Sequence, residues 1–210
     1  MQLVSPSNLA SSAPNLAPTQ AKYADKNPLV RFANQSFFRA LTQMLGQISV
    51  HSILDGGCGE GIVMGRLRAP RIVGVDLDPR RATLARSSHP EARIAIADVQ
   101  RLPFARACVD LVIMVEVFEH VGGPEAALKE VARVSRKYVL ASVPNEPWWR
   151  IGNMIRLKYL RNLGNTPEHI NHWSARGFTR FLSQSFTVLE LKKPFLWTFA
   201  LAIKPQERDF

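Results

Sequence analysis

Cysteine is scarce. The chain has two, Cys58 and Cys108, too few for a disulfide framework, and Cys58 lies inside a glycine run where a bridge would be hard to close. A reducing compartment, the cytoplasm, is the expected setting. Long apolar runs are missing too: the longest near the C-terminus, Pro194 to Ile203, is half of the roughly 20 residues a spanning helix needs. No transmembrane helix is expected. Acidic residues are outnumbered, 17 against 27 Lys plus Arg, for a formal charge of +10. A net positive field concentrates anions, so nucleic acid, an anionic membrane surface and an acidic substrate are all candidate partners. Before about Gln20 charge of either sign is absent, and Ser, Pro, Ala and Asn recur without apolar periodicity. Residues 1–22 therefore read as a disordered, dispensable tail, lacking the basic and apolar regions of a signal peptide and the arginines of a transit peptide.

Against these absences stands an apolar share of 46% over 210 residues, enough for one substantial core and one domain, residues 23–210. From Pro28 to Ile48, the apolar residues Leu29, Phe32, Phe37, Leu41, Met44, Leu45 and Ile48 recur mostly at three- and four-residue steps. One or two amphipathic helices within residues 23–48 follow. Beyond them, strand-like runs (HSILD, RIVGVDLD, ARIAIADV, VDLVIMVEV, KYVLASVP) alternate with helical stretches (GIVMGRLRA, PRRATLARSS, PEAALKEVARVSR), the mark of βαβ units and a parallel sheet. A further helix over Ala175 to Ser183 precedes FTVLELKK and FLWTFALAIK, whose short separator at Pro194 predicts an antiparallel hairpin. The expected fold class is α/β: a Rossmann-like, doubly wound sheet of about seven strands, mostly parallel, with an antiparallel C-terminal hairpin strand.

The stretch Asp55-Gly56-Gly57-Cys58-Gly59-Glu60-Gly61 follows the first strand and is expected to open a helix, a place where backbone turns sharply and a ligand can approach without meeting a Cβ. A dinucleotide fingerprint would require glycine at 62 or 64, where Ile62 and Met64 stand, and no G-K-[ST] of a phosphate loop follows. What remains is D-x-G-x-G-x-G. This pattern resembles the first motif of class I S-adenosylmethionine-dependent methyltransferases of the small-molecule type, and the resemblance extends through Asn145. Asp76, 19 positions after Gly57, stands where the family places a carboxylate on both ribose hydroxyls. Asp98 stands where it places an acid on the adenine amino group. Leu102-Pro103-Phe104, Val109-Asp110-Leu111-Val112 and Glu116-Val117-Phe118-Glu119-His120-Val121 are similar to its later motifs. The resemblance implies S-adenosylmethionine as cofactor, held by Asp55, Gly57, Cys58, Gly59, Asp76, Leu77, Asp98, Val99 and Glu116. Taken singly, each residue has a plainer reading: Asp76 as a helix N-cap, with Asp78 competing for that cap, and Asp98 as a turn former.

A sulfonium methyl is already activated, so the protein chiefly aligns an acceptor, excludes water and handles one proton. His120 is the candidate catalytic base; its structural alternative is to cap or orient the helix starting near Pro124. The segment after the fifth strand, residues 145–173, is implied to form a lid or acceptor wall, with Asn145, Trp148, His169 and His172 as candidate substrate residues. Within it Arg150, Arg156, Lys158 and Arg161 mix with Trp148, Trp149, Ile151 and Met154. Such a basic amphipathic helix suits a lipid-like or phosphorylated acceptor, or peripheral contact with an anionic membrane, and equally a packed lid with a solvated face. His169 and His172 share i, i+3 spacing with no third ligand placed close by, so no metal site is expected. Transfer to a small-molecule or lipid-like acceptor is the leading reading. Nucleic-acid methylation is disfavoured, because Val115-Glu116-Val117-Phe118 stands in place of [DN]-P-P-[YF] and neither cysteine is placed as a nucleophile. A cofactor-binding module without turnover is the third reading.

Overall fold

The computed structural model describes residues 27–155 and 162–205. Its centre is a seven-stranded sheet in the order β3-β2-β1-β4-β5-β7-β6. The strands are β1 (Ser52–Gly56), β2 (Arg71–Asp76), β3 (Arg93–Ile96), β4 (Val109–Val115), β5 (Ser135–Pro144), β6 (Thr187–Lys192) and β7 (Trp197–Ile203). The first five run parallel, whereas β7 is antiparallel to both β5 and β6. The expected sheet and hairpin are both present, with β7 inserted between β5 and β6. Order reverses between β1 and β4, and such a switch point opens a crevice at the carboxyl ends of the strands.

Both faces of the sheet are covered, which is why the central strands read as continuous apolar runs. On one face lies α1 (Pro28–Leu45), capped by Asn27, whose side chain accepts from the Leu29 amide. Its Phe37 meets Trp197 and Phe199 edge-on, at centroid distances of 5.0 and 4.9 Å. A single helix thus occupies the span where one or two were expected. α2 (Pro79–Ser88) shares this face through Ala85. The opposite face is packed by α3 (Pro124–Val134) and α5 (Ala175–Leu182), through Leu128, Val131, Phe178 and Phe181. α4 (Trp148–Ile155) follows β5.

One expected helix is not formed. The stretch GIVMGRLRA holds only a 3-10 turn at Met64–Arg66, and the reason is length. The chain must travel back along β1, about 16 Å for five residues, using the eight residues between Gly61 and Pro70. An α-helix of eight residues covers only about 12 Å, whereas 3-10 and extended backbone reach further per residue. The tail, residues 1–22, and Arg156, Lys158 and Arg161, on which much of the expected basic face rests, lie outside the described residues.

Candidate cofactor and acceptor site

The glycine loop leaves β1 at the switch point and is fixed from three sides. The Cys58 amide donates to the Val75 carbonyl (2.9 Å), the Gly59 amide to Asp76 Oδ2 (2.8 Å), and the Gly61 carbonyl meets His89 Nε2 at 2.8 Å. Gly57 and Gly59 have φ of +69° and +55°, which L side chains rarely adopt. At Gly57 a Cβ would also stand 2.6 Å from Val117, whereas at Gly59 it would enter open space. Gly57 is therefore fixed by packing as well as by dihedral, and Gly59 by dihedral alone.

Three acids gather around this loop. Asp55 is buried, and its Oδ2 has no hydrogen-bond partner. Burial first, and the nearby Asp76 charge second, push its carboxyl up to about 8. Asp76, at the end of β2, accepts from the amides of Gly59 and Asp78 (2.8 and 2.9 Å). A carboxylate offers about four acceptor positions, so two stay available to a diol. The N-cap of α2 belongs to Asp78, whose Oδ1 accepts from the Arg80 amide (2.8 Å), leaving Asp76 for the loop and its ligand. Asp98 follows β3 and accepts from the Gln100 amide (2.8 Å), a turn-forming bond that does not use up its carboxylate. Beside Asp76, Leu77 is 67% exposed, an outward apolar surface suited to the face of a base, while Val99 is buried. Cys58 is buried too; burial, then the Asp55 and Asp76 charges, push its thiol far above the ordinary range, so it is no nucleophile.

Glu116, at the end of β4, has φ +59° and accepts from the Trp197 indole N–H (2.8 Å). The expected motif Leu102-Pro103-Phe104 has a structural role: Arg133 on α3 donates to the Leu102 and Phe104 carbonyls, and Glu130 accepts from the Leu102 amide.

The candidate acceptor side is built from two segments distant in sequence. After β4 comes a 3-10 turn, Phe118–His120, anchored by Phe118, whose ring packs 5.1 Å from that of Phe181. Against it lies the stretch before α5. The amides of Ile170 and Asn171 donate to the Glu119 carbonyl (2.9 and 3.1 Å), and Asn171 Nδ2 donates to the carbonyls of Phe118 and Val121 (3.0 and 2.6 Å). His120 Nδ1 meets the Glu168 carbonyl at 2.9 Å. His120 therefore ties the β4 turn to the segment before α5 and does not cap α3, whose N-cap is Gly123 without a side-chain bond.

Of the four candidate substrate residues, one, His169, meets this turn directly. His169 is buried, its ring 5.0 Å from that of His120 and 5.6 Å from that of Trp149. Asn145 is buried in an isolated bridge to Trp173. Trp148 is exposed, and His172 Nε2 is turned to Asn165 Oδ1 (2.6 Å). Arg150, expected on a charged face, donates to the Leu163 carbonyl (3.1 Å). Sequence reasoning also missed His89, Trp197 and Glu146. Both carboxylate oxygens of Glu146 are buried, and burial foremost raises its carboxyl above the ordinary value, against the opposing pull of His172 and Arg150. These residues sit at strand and helix ends with no local pattern, and only the fold brings them to the site.

A glycine loop at the switch point is ringed by acids from three successive strands, in the crevice where open α/β sheets bind ligands. Comparison with known proteins agrees: residues 54–140 match the family described as "Methyltransferase domain". A probable S-adenosylmethionine-dependent methyltransferase of Mycobacterium tuberculosis is 31% identical over 101 residues, 46% of this chain and 37% of that protein. A malonyl-[acyl-carrier protein] O-methyltransferase of Serratia marcescens is 31% identical over 99 residues, 45% and 39% of the two chains. Among solved structures, magnesium protoporphyrin IX methyltransferase of Synechocystis with bound S-adenosylhomocysteine superposes with a TM-score of 0.67 at 15% identity, covering 90% of this chain and 93% of that one. The likeness to methyltransferases thus covers residues 54–140 by sequence and most of the chain by fold. The chain spans less than two fifths of the curated relatives' own lengths.

The residues present fit the family's cofactor. Asp55 offers a buried, unpartnered acceptor oxygen, Asp76 retains acceptor capacity for a diol, and Leu77 offers an apolar face beside it.

Proposed function

We propose that the protein transfers a methyl group from S-adenosylmethionine to a small-molecule or lipid-like acceptor. The observation that carries this reading is the placement of Asp55, Asp76 and Asp98 around one glycine loop, with a separate wall of Glu119, His120 and His169 beyond the end of β4. The cofactor supplies an activated methyl when bound. Asp76 and Asp98 take the ribose and adenine, while Asp55, Gly57, Cys58, Gly59 and Glu116 line the loop and the methionine end. Residues 162–173, tied to the β4 turn through Asn171 and His120, exclude water and limit the acceptor's approach. His120 faces that space, its Nδ1 held by a carbonyl; the ring then carries its proton on Nδ1 and its lone pair on Nε2.

The relatives named for their substrates take malonyl-[acyl-carrier protein] and magnesium protoporphyrin IX, which supports the acceptor class without identifying the acceptor. Exposed Trp148 beside Arg150 supports contact with a lipid-like acceptor or an anionic surface. The test is a parallel screen of methyl incorporation into RNA, lipid extract and small phenols. Incorporation into the lipid or phenol fraction is expected. Incorporation into RNA alone contradicts the acceptor class, and cofactor binding with no incorporation favours a module without turnover.

A further inference from the structure

We propose that Glu119, His120 and His169 form a binding site for one divalent transition-metal ion at the carboxyl end of β4. The ligand-capable atoms of the three side chains all lie within 4.8 Å of one another. Ligands about 2.0–2.1 Å from a tetrahedral ion stand about 3.4 Å apart, so closing the site needs side-chain adjustments and no movement of the backbone. That backbone is already built for the purpose. Four hydrogen bonds, from the Ile170 and Asn171 amides and the Asn171 side chain, bind residues 170–171 to the turn carrying Glu119 and His120. They place His169 beside His120 although 49 positions separate them.

The orientation of His120 gives a second, independent indication. Its Nδ1 faces the Glu168 carbonyl, an acceptor only, so Nδ1 carries the proton and Nε2 presents a lone pair. A histidine that ligates a metal through one nitrogen is commonly held in this way through the other. Glu119 has no exposed surface and His169 is buried, whereas His120 is exposed. The carboxylate therefore sits in a low-dielectric wall where a cation is favoured, and the open side faces the space assigned to the acceptor. Two imidazoles and one carboxylate suit Zn²⁺, Mn²⁺, Co²⁺ or Fe²⁺ better than Mg²⁺ or Ca²⁺, which prefer oxygen ligands. Three protein ligands leave a coordination position open. Resting on the methyl-transfer reading, that position would hold an oxygen of the acceptor and make its hydroxyl easier to ionise, giving His120 the role of ligand instead of lone base.

The experiment titrates Zn²⁺, Mn²⁺ and Mg²⁺ into tag-free full chain by calorimetry, with S-adenosylhomocysteine binding measured on the same preparation. One equivalent of Zn²⁺ or Mn²⁺ is expected to bind with a dissociation constant on the order of micromolar or tighter, and Mg²⁺ more weakly. His120→Ala removes one exposed hydrogen bond to the Glu168 carbonyl while the four bonds from Ile170 and Asn171 remain, so it should keep its circular dichroism and bind metal roughly tenfold or more weakly. His51→Ala, an exposed histidine elsewhere, should bind as the parent does. No uptake of Zn²⁺ or Mn²⁺, a preference for Mg²⁺, or unchanged affinity in His120→Ala overturns the site. Metal uptake without S-adenosylhomocysteine binding overturns the functional reading and leaves the site standing; cofactor binding without metal uptake does the reverse.

Discussion

Asp55 shows how a single residue is shaped by its position. Its place at the end of a buried strand removes water from the carboxylate, and the neighbouring Asp76 adds repulsion, so the native carboxyl titrates at about 8 while the unfolded one ionises near 4. Between those values the native state binds more protons than the unfolded chain, so this group's contribution to stability falls as pH rises. Asp55→Asn removes the titration. In the cofactor-free protein, the thermal midpoint of the variant should gain on the parent progressively from about pH 4 to about pH 8, and a gap independent of pH contradicts the account. The acids and glycines of this loop were legible in the sequence because a turn at positive φ and a charge at a strand end leave local marks. Their partners were not: nothing near His89 or Trp197 in the sequence says that one holds the Gly61 carbonyl and the other the Glu116 carboxylate.

Among the elements, the strands were readable because burial on both faces demands apolar runs, α1, α2 and α5 because polar caps mark their starts, and α3 because Pro124 opens an amphipathic run. The segment after Gly61 failed as a helix because the return path, not its propensity, decided its conformation. The segment between α4 and α5 was legible only as a composition. Its position is set by Asn171, one side-chain amide spanning two carbonyls of the β4 turn. Asn171→Ala leaves those carbonyls to other partners and should cost about 1–3 kcal/mol in a half-buried setting. The loss should appear locally, as faster amide exchange over residues 166–172 with the exchange of β4 and β5 unchanged. Uniform loss of protection across the sheet would mean that the amide supports the whole fold. A metal affinity unaltered in the same variant would show that His169 is placed by other contacts.

At the scale of the molecule, the two ends of the sheet carry different chemistry. The amino-terminal ends of the strands form a cleft lined by His51, Arg106, Arg136, Lys137 and Lys204, a concentration of the positive charge away from the glycine loop. Asp110 answers part of it by pairing with Arg136. The carboxyl-terminal ends instead gather acids, a loop of free turns and a histidine wall, the composition expected where a cationic cofactor meets an acceptor. No helix among the described residues is long and apolar enough to cross a membrane. The net charge of +10 therefore bears on what the surface attracts, while the cofactor reading rests on local geometry.

The most direct test of that reading is calorimetric titration of S-adenosylhomocysteine into the parent protein and into Asp76→Ala. The account expects one binding site in the parent. In the variant, the loss of two hydrogen bonds to a charged acceptor, each roughly 1.5–3 kcal/mol, should weaken binding at least about tenfold with the circular dichroism retained. Absence of binding in the parent, or equal affinity in a folded Asp76→Ala protein, would contradict the assignment of the loop and its acids to the cofactor.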